Sequence, residues 1–374
     1  MSPLTELGMT DIASKPRHGR LWLLGGGSLL LVLLVVILRN YLYVRDGMLK
    51  PDFALIHVAY DFNLWQLPVG LLVIGVLLAG LGFVKARCRK VLFCFSGIYI
   101  FLAVDLLLLR YYVTYVEPQQ LVLRQVRIET PKLQQPFRIL HISDIQAGSI
   151  GAYEREVFAR IAELKPDLIL NTGDYLQEVA PATFESEWPK LVELFRSVEP
   201  EYGMYGIFGD TELELYRVPE ESLGPLELLS SRTVEIDTGA GMLSVHGLSL
   251  YQSNKSEWAD RTVGQWLEQS DDAEFRILMG HAPDYAMGMA EQPIDLCLAG
   301  HTHGGQVRLP FFGPLTTYSQ VPKDWARGFR RVGIPYLNVS AGAGSNRRNG
   351  LPPIRFNCPT EMTLIELVPL RSIR

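Results

Sequence analysis

Gly300-His301-Thr302-His303-Gly304-Gly305-Gln306-Val307 directly follows Asp295-Leu296-Cys297-Leu298-Ala299, a short apolar run. A run of that length bounded by Gly and polar residues reads as a buried strand, so both histidines leave a sheet at a strand end. In an extended segment residues two apart point the same way, and a His-x-His pair there can address two adjacent metal ions. Three other strand-like runs end similarly. Phe137–Ser143 leads into Asp144-Ile145-Gln146, Asp167–Asn171 into Thr172-Gly173-Asp174, and Phe275–Met279 into Gly280-His281. Between the first two, Ala152–Leu164 reads as an amphipathic helix, which gives a βαβ-like opening. Groups beyond the carboxyl ends of strands in an open α/β sheet converge on one crevice, so two aspartates and three histidines gather there. Alone, each Asp reads as a turn or cap and each His as a core residue, and the ordered set carries the reading. An edge strand is expected at Leu121–Ile128, with more at Met204–Phe208, Met242–Leu248, Gln306–Leu309, Tyr336–Val339 and Met362–Leu367.

The order of these blocks, with Gly209-Asp210-Thr211-Glu212 between the second and third, resembles the signature of the calcineurin-like metallophosphoesterase superfamily. GHTHGGQV (300–307) and LPPIRFNCPTE (351–361) are similar to a bacterial branch of it. The resemblance covers about residues 120–370. It implies an α/β fold, a four-layer α/β/β/α sandwich with two divalent metal ions at one edge of the paired sheets. It also implies hydrolysis of phosphoester or pyrophosphate bonds by a metal-bridging hydroxide. Carried over by position, Asp174 bridges both ions. Asp144 and His303 complete one shell, and Asp210, His281 and His301 hold the other ion. Asp174, Asp210 and Thr211 occupy catalytic positions.

Two positions depart from the family pattern. Gln146 stands where a His ligand is usual, and its amide oxygen is a weaker donor than imidazole. Asp210 replaces an Asn, adding a charged oxygen. One nitrogen is lost and one charged oxygen gained, which moves preference from Zn²⁺ toward Mn²⁺, Fe²⁺ or Mg²⁺, with Mn²⁺ favoured. Thr211 replaces a His that protonates the leaving oxygen, which Thr cannot do near neutral pH. Substrates whose leaving group needs no proton are therefore expected: a pyrophosphate or an aryl ester. Members of the superfamily that cleave UDP-linked lipid sugars likewise lack this His. His141 reads as core, because strand alternation turns it away from the face of Asp144. His246 reads as a packed core residue that could otherwise supply a proton. Arg347 and Arg348, in the Gly-rich stretch Gly342–Gly350, read either as a solvated loop or as ligands for a phosphate or an anionic headgroup.

Outside this region the chain changes character. Of its 374 residues 48% are hydrophobic and 20% charged, and the apolar surplus lies in the first 115. Three runs there, about 21–38, 64–84 and 91–109, are near the length that crosses ~30 Å of hydrocarbon as a helix. Residues 1–116 thus read as a transmembrane anchor and 117–374 as the phosphoesterase domain. No small-residue cleavage pattern follows Leu38, so the first run is expected to stay as an anchor. Lys85-Ala86-Arg87-Cys88-Arg89-Lys90, supported by Lys15, Arg17 and Arg20, places that loop in the cytoplasm and the main domain on the extracytoplasmic side. Arg39, Arg45 and Lys50 oppose this weakly, being mixed with Asp46, Asp52 and Asp61. Asp105 reads as a solvated or paired group at the outer interface.

The net charge of −5 and the lack of a basic stripe argue against nucleic acid as a partner. The four cysteines form no CxxC pair and read as buried thiols rather than a disulfide framework. The expected partners are the membrane and a phosphate-containing, lipid-linked or envelope substrate. The rival reading is a catalytically silent, metal-binding envelope scaffold, motivated by Gln146 and Thr211. A transporter is disfavoured, since three spans with one off-centre carboxylate offer no pathway.

Overall fold

The structure, a computed structural model, describes residues 17–49, 53–211 and 213–370. Lys15, Lys50, Asp52 and Glu212 lie outside them. The chain divides into two compact units, Met1–Arg110 and Tyr111–Arg374.

Among the described residues three helices are long and apolar enough to cross a membrane: Gly19–Tyr43 and Ile56–Val84 in the first unit, and Ala86–Gln119, which runs from it into the second. They pack where small residues permit close approach. A Cβ at Gly75 would fall 3.2 Å from the carbonyl of Ser96, whose hydroxyl donates to the Gly75 carbonyl at 2.8 Å. Leu71, Val91, Phe95, Tyr99 and Ala103 form the small core of this unit. Asp105 is exposed, and Arg110 lies over the rings of Tyr60 and Trp65.

In chain order the strands of the second unit are β1 (Val122–Thr130), β2 (Phe137–Ile142), β3 (Leu168–Asn171), β4 (Met204–Gly206), β5 (Leu226–Leu228), β6 (Arg232–Asp237) and β7 (Met242–Gly247). They continue with β8 (Phe275–Met279), β9 (Leu296–Ala299), β10 (Arg308–Leu309), β11 (Gly313–Pro314), β12 (Gly328–Arg331), β13 (Tyr336–Val339) and β14 (Glu361–Pro369). One sheet has the order β1-β14-β2-β3-β4-β5 and the other β12-β13-β9-β8-β7-β6, while β10 and β11 form a small hairpin. β2 to β5 are parallel to one another, as are β7, β8, β9 and β13.

Side-chain alternation explains the layering. Ile139, Leu168, Leu170, Ile277, Met279, Leu296 and Leu298 face the space between the sheets and make one core. Their neighbours Leu140, Ile142 and Ile169 point outward onto helices Ala152–Leu164 and Phe184–Arg196. On the other side Leu278, Cys297 and Ala299 meet helix Ser256–Gln269. The result is the four-layer α/β/β/α sandwich. The strand ends that carry the polar clusters all belong to the parallel strands β2, β3, β4, β8 and β9, so they open at one end of both sheets.

The helix Ala152–Leu164 and strands β8 and β13 coincide with the sequence reading. β5, β6, β12 and the helices Phe184–Arg196 and Ser256–Gln269 were not anticipated. All four cysteines are free, with Cys297 and Cys358 buried.

Candidate metal centre

Five of the eight candidate residues take a backbone conformation that L residues rarely adopt: Asp144 (φ 50°), Gln146 (φ 36°), Asp174 (φ 60°), His301 (φ 66°) and His303 (φ 48°). Such strain costs on the order of 1–3 kcal/mol per residue and persists where surrounding contacts over-determine it. His301 and His303 therefore do not project from an extended segment as the His-x-His spacing suggested. His303 opens a short 3₁₀ turn, His303–Gly305. The two rings still meet partners of their own, because each backbone turn is tight. Close approach needs glycine here: a Cβ on Gly209 would fall on the Asp174 carboxylate.

The ligand atoms of Asp210, His281 and His301 lie within 4.8 Å of one another, as do those of Asp144, Asp174 and His281. His281 Nε2 is 3.4 Å from Asp174 Oδ1, His301 Nδ1 is 3.3 Å from Asp210 Oδ2, and His303 Nε2 is 3.3 Å from Asp144 Oδ1. The opposite edges of two rings are occupied by carbonyls, which only accept. His281 Nδ1 donates to Thr172 O at 2.7 Å and His301 Nε2 to Tyr318 O at 3.3 Å. With those edges taken, Nε2 of His281 and Nδ1 of His301 face the cluster and each other, 3.3 Å apart.

Asp174 organises the centre. Its Oδ1 accepts from the amides of Asp210 (2.6 Å) and Thr211 (3.2 Å), and its Oδ2 accepts from Gln146 Nε2 at 2.5 Å. Gln146 is 1% exposed and its Oε1 has no partner. His303 Nε2, also buried, lacks a hydrogen-bond partner. An orphaned amide oxygen and an imidazole nitrogen that meets only the Asp144 carboxylate, at 3.3 Å and without a hydrogen bond, fit a divalent cation among three carboxylates. Among the described residues, the ion pairs of Asp144, Asp174 and Asp210 are all with histidines. Without a cation the charge balance is poor. Burial pushes the Asp144 carboxyl up to about 6, with Asp174 adding to the effect. Burial would lower His281, but Asp174, Asp210 and Asp144 outweigh it and hold the imidazole well above its usual value.

Sequence reasoning missed two supporting groups. Thr172 Oγ1 donates to Ser143 Oγ at 2.7 Å, which donates to Asp144 Oδ2 at 2.5 Å. His141 closes this chain, its Nε2 3.0 Å from Thr172 Oγ1 and its Nδ1 2.7 Å from Asn338 Nδ2. It is a buried core histidine, as expected, lowered to about 3 by burial, yet it orients a candidate ligand. The second group is Arg355, fully buried. It lies 3.4 Å from His303 Nδ1 and donates to Cys358 O at 3.0 Å and Ala341 O at 2.7 Å. Burial and this guanidinium together drive His303 well below its usual value. His246 lies elsewhere, on β7, stacked on Trp266 and bonded to Thr233 at 2.8 Å.

Comparison with known proteins gives a matching ancestry. Residues 137–305 match the family model described as calcineurin-like phosphoesterase. The metallophosphoesterase YkuE of Bacillus subtilis (strain 168) is 30% identical over 274 residues, spanning 68% of this chain and 88% of that protein. Phosphodiesterase YaeI of Escherichia coli (strain K12) is 28% identical over 240 residues, spanning 62% of this chain and 83% of its own.

Proposed function

The chain belongs to the calcineurin-like phosphoesterase family, and from that premise we propose that it hydrolyses a phosphoester or pyrophosphate whose leaving group needs no proton, on a lipid-linked or envelope compound. It is a metallophosphoesterase by its relatives. The observation that carries the finer reading is the unpartnered Gln146 Oε1, buried beside three carboxylates gathered around one pair of histidines. In this reading Asp174, together with Asp144, His303 and Gln146 on one side and Asp210, His281 and His301 on the other, would hold two divalent ions. When bound, the ions supply Lewis acidity toward phosphoryl oxygens and a water of lowered pKa.

The protein's own groups do the rest. The carbonyls of Thr172 and Tyr318 fix two imidazoles as acceptors, and Asp174 ties the Asp210–Thr211 backbone against the centre. Thr211 stands where a proton donor would act, and its hydroxyl does not yield a proton near neutral pH, so the departing oxygen must carry its own charge. Mn²⁺ is favoured by a donor set richer in oxygen than nitrogen. Full-length protein in detergent is expected to hold two metal ions per chain and, with Mn²⁺, to cleave an aryl diester and a pyrophosphate but an alkyl monoester slowly. Bound metal with no turnover of any of the three would instead support the silent scaffold.

The anchor supports a multi-pass membrane protein with this domain outside the cytoplasm, by the positive loop Lys85–Lys90. A cysteine at exposed Asn254 is expected to react with an impermeant thiol reagent in intact cells while Cys88 stays protected. The opposite labelling pattern would put the domain in the cytoplasm.

A further inference from the structure

Beside the candidate metal centre lies an open pocket of about 110 Å³, with Gln146, Gly344 and Arg347 on its walls. Thr114 and Tyr115, near the end of the third apolar helix, complete its rim. Gln146 belongs to both spaces: its buried side chain touches Asp174 on one side and lines the pocket on the other.

Arg347 is the basic group in this wall. It is half-buried, its Nε is sealed from solvent without a partner, and among the described residues its guanidinium donates no hydrogen bond and forms no ion pair. Glu154, the acid across the pocket, attracts it through space but takes its hydrogen bond from the amide of Gly151 at 2.8 Å and not from the guanidinium. The backbone at Arg347 is nevertheless fixed, since its amide donates to Gln177 and that of Asn346 to Gln306 Oε1 at 2.5 Å. A guanidinium held at a pocket wall without a partner is a ready site for a bidentate oxyanion. Gly148 makes room for it, because a Cβ there would lie 2.9 Å from Arg347 Nη1.

We propose that Arg347 binds a second phosphate of the substrate, the one adjacent to the phosphoryl group under attack, so that the enzyme selects compounds with two linked phosphates over single-phosphate esters. This rests on the phosphohydrolase reading and deepens it. A phosphate leaving group also departs as an anion, which agrees with Thr211 offering no proton.

The test compares full-length wild type, Arg347→Ala, Arg347→Lys and Gly148→Ala, all with Mn²⁺, on bis(4-nitrophenyl) phosphate and on P¹,P²-di(adenosine-5′) diphosphate. Arg347→Ala is expected to lower kcat/KM for the diphosphate about 10- to 100-fold, the scale of a charge-assisted hydrogen bond, chiefly through KM. The single-phosphate ester should change less than about twofold on the same scale. Arg347→Lys should recover part of the loss, and Gly148→Ala should reproduce it by displacing the guanidinium. Equal loss on both substrates, or none on either, overturns the proposal while leaving the phosphohydrolase reading intact. A wild type that cleaves neither substrate takes down both. If Arg347→Ala instead alters only the response of activity to phosphatidylglycerol in mixed micelles, the guanidinium serves a lipid headgroup and the proposal is wrong.

Discussion

Asp174→Asn is expected to drop hydrolysis below about one-hundredth of wild type, beyond the ~10–100-fold typical of groups that only orient a ligand, and to reduce bound metal in parallel. The carboxylate accepts on both oxygens, from two backbone amides at 2.6 and 3.2 Å and from Gln146 at 2.5 Å. An asparagine has one acceptor oxygen and one donor nitrogen. With its nitrogen toward the Asp210 and Thr211 amides, donor meets donor and a buried group is left unpaired at a cost of about 1–3 kcal/mol; with its nitrogen toward Gln146, that amide must turn its Oε1 to accept, which withdraws the candidate ligand oxygen from the centre. The lost charge weakens any shared cation as well. Gln146→Ala removes one neutral donor and is expected to stay within the ~10–100-fold range. Metal analysis, initial rates and thermal melts on both variants separate ligand loss from unfolding. Equal losses of rate and metal in two folded variants would strip Asp174 of its central role.

Thr211→His is expected to accelerate hydrolysis of alkyl phosphate esters by about 10²–10⁴-fold, the usual worth of general acid assistance, while aryl esters and pyrophosphates change little. Thr211 follows Asp210, and its amide is already anchored to Asp174 at 3.2 Å, so the substitution alters the side chain at a fixed backbone position. An imidazole there adds a titratable proton donor near neutral pH and leaves the candidate ligands in place. Rates across a series of leaving groups provide the measurement. A steep wild-type dependence on leaving-group pKa should flatten in the variant. A wild type already insensitive to leaving group would show that another acid serves, and the restriction to activated substrates would have to be abandoned.

The parts of the fold written as local alternation were legible in the sequence. β2, β3, β8 and β9 are short apolar runs whose odd and even residues face different layers, and each ends in a polar cluster that names its own place. β5, β6 and β12 were not, because Leu226–Leu228 is too short for a pattern and Arg232–Asp237 and Gly328–Arg331 alternate weakly with charged residues. Helix Phe184–Arg196 has Phe184, Trp188, Leu191 and Phe195 at helical spacing, a signal that was present and overlooked, with Pro189 obscuring it. In the site, the blocks carrying Asp144, Asp174, His281 and His301 could be read from strand ends. The chain from His141 through Thr172 and Ser143 could not, since its members meet only after β2 and β3 pair. Arg355 sat inside a stretch quoted for its resemblance, and nothing local indicated that its side chain would run back to His303. The left-handed backbone at five candidate positions has no signature in residue type at all.

Arg355 also ties the C-terminal loop to the residues that precede β1. Its amide donates to the carbonyl of Val113 at 2.9 Å, and the amide of Cys358, beside it in the loop, donates to Glu117 Oε1 at 2.5 Å. Val113 and Glu117 come from the last turns of the third apolar helix. The same loop passes from those two contacts, through the Arg355 guanidinium, to the ring of His303. Residues 113–117, just before β1, are thus braced into the second unit, a keystone behind the candidate site. A soluble version trimmed to start at β1 would keep every candidate ligand and lose the brace behind one of them, whereas one starting at Tyr111 would retain both.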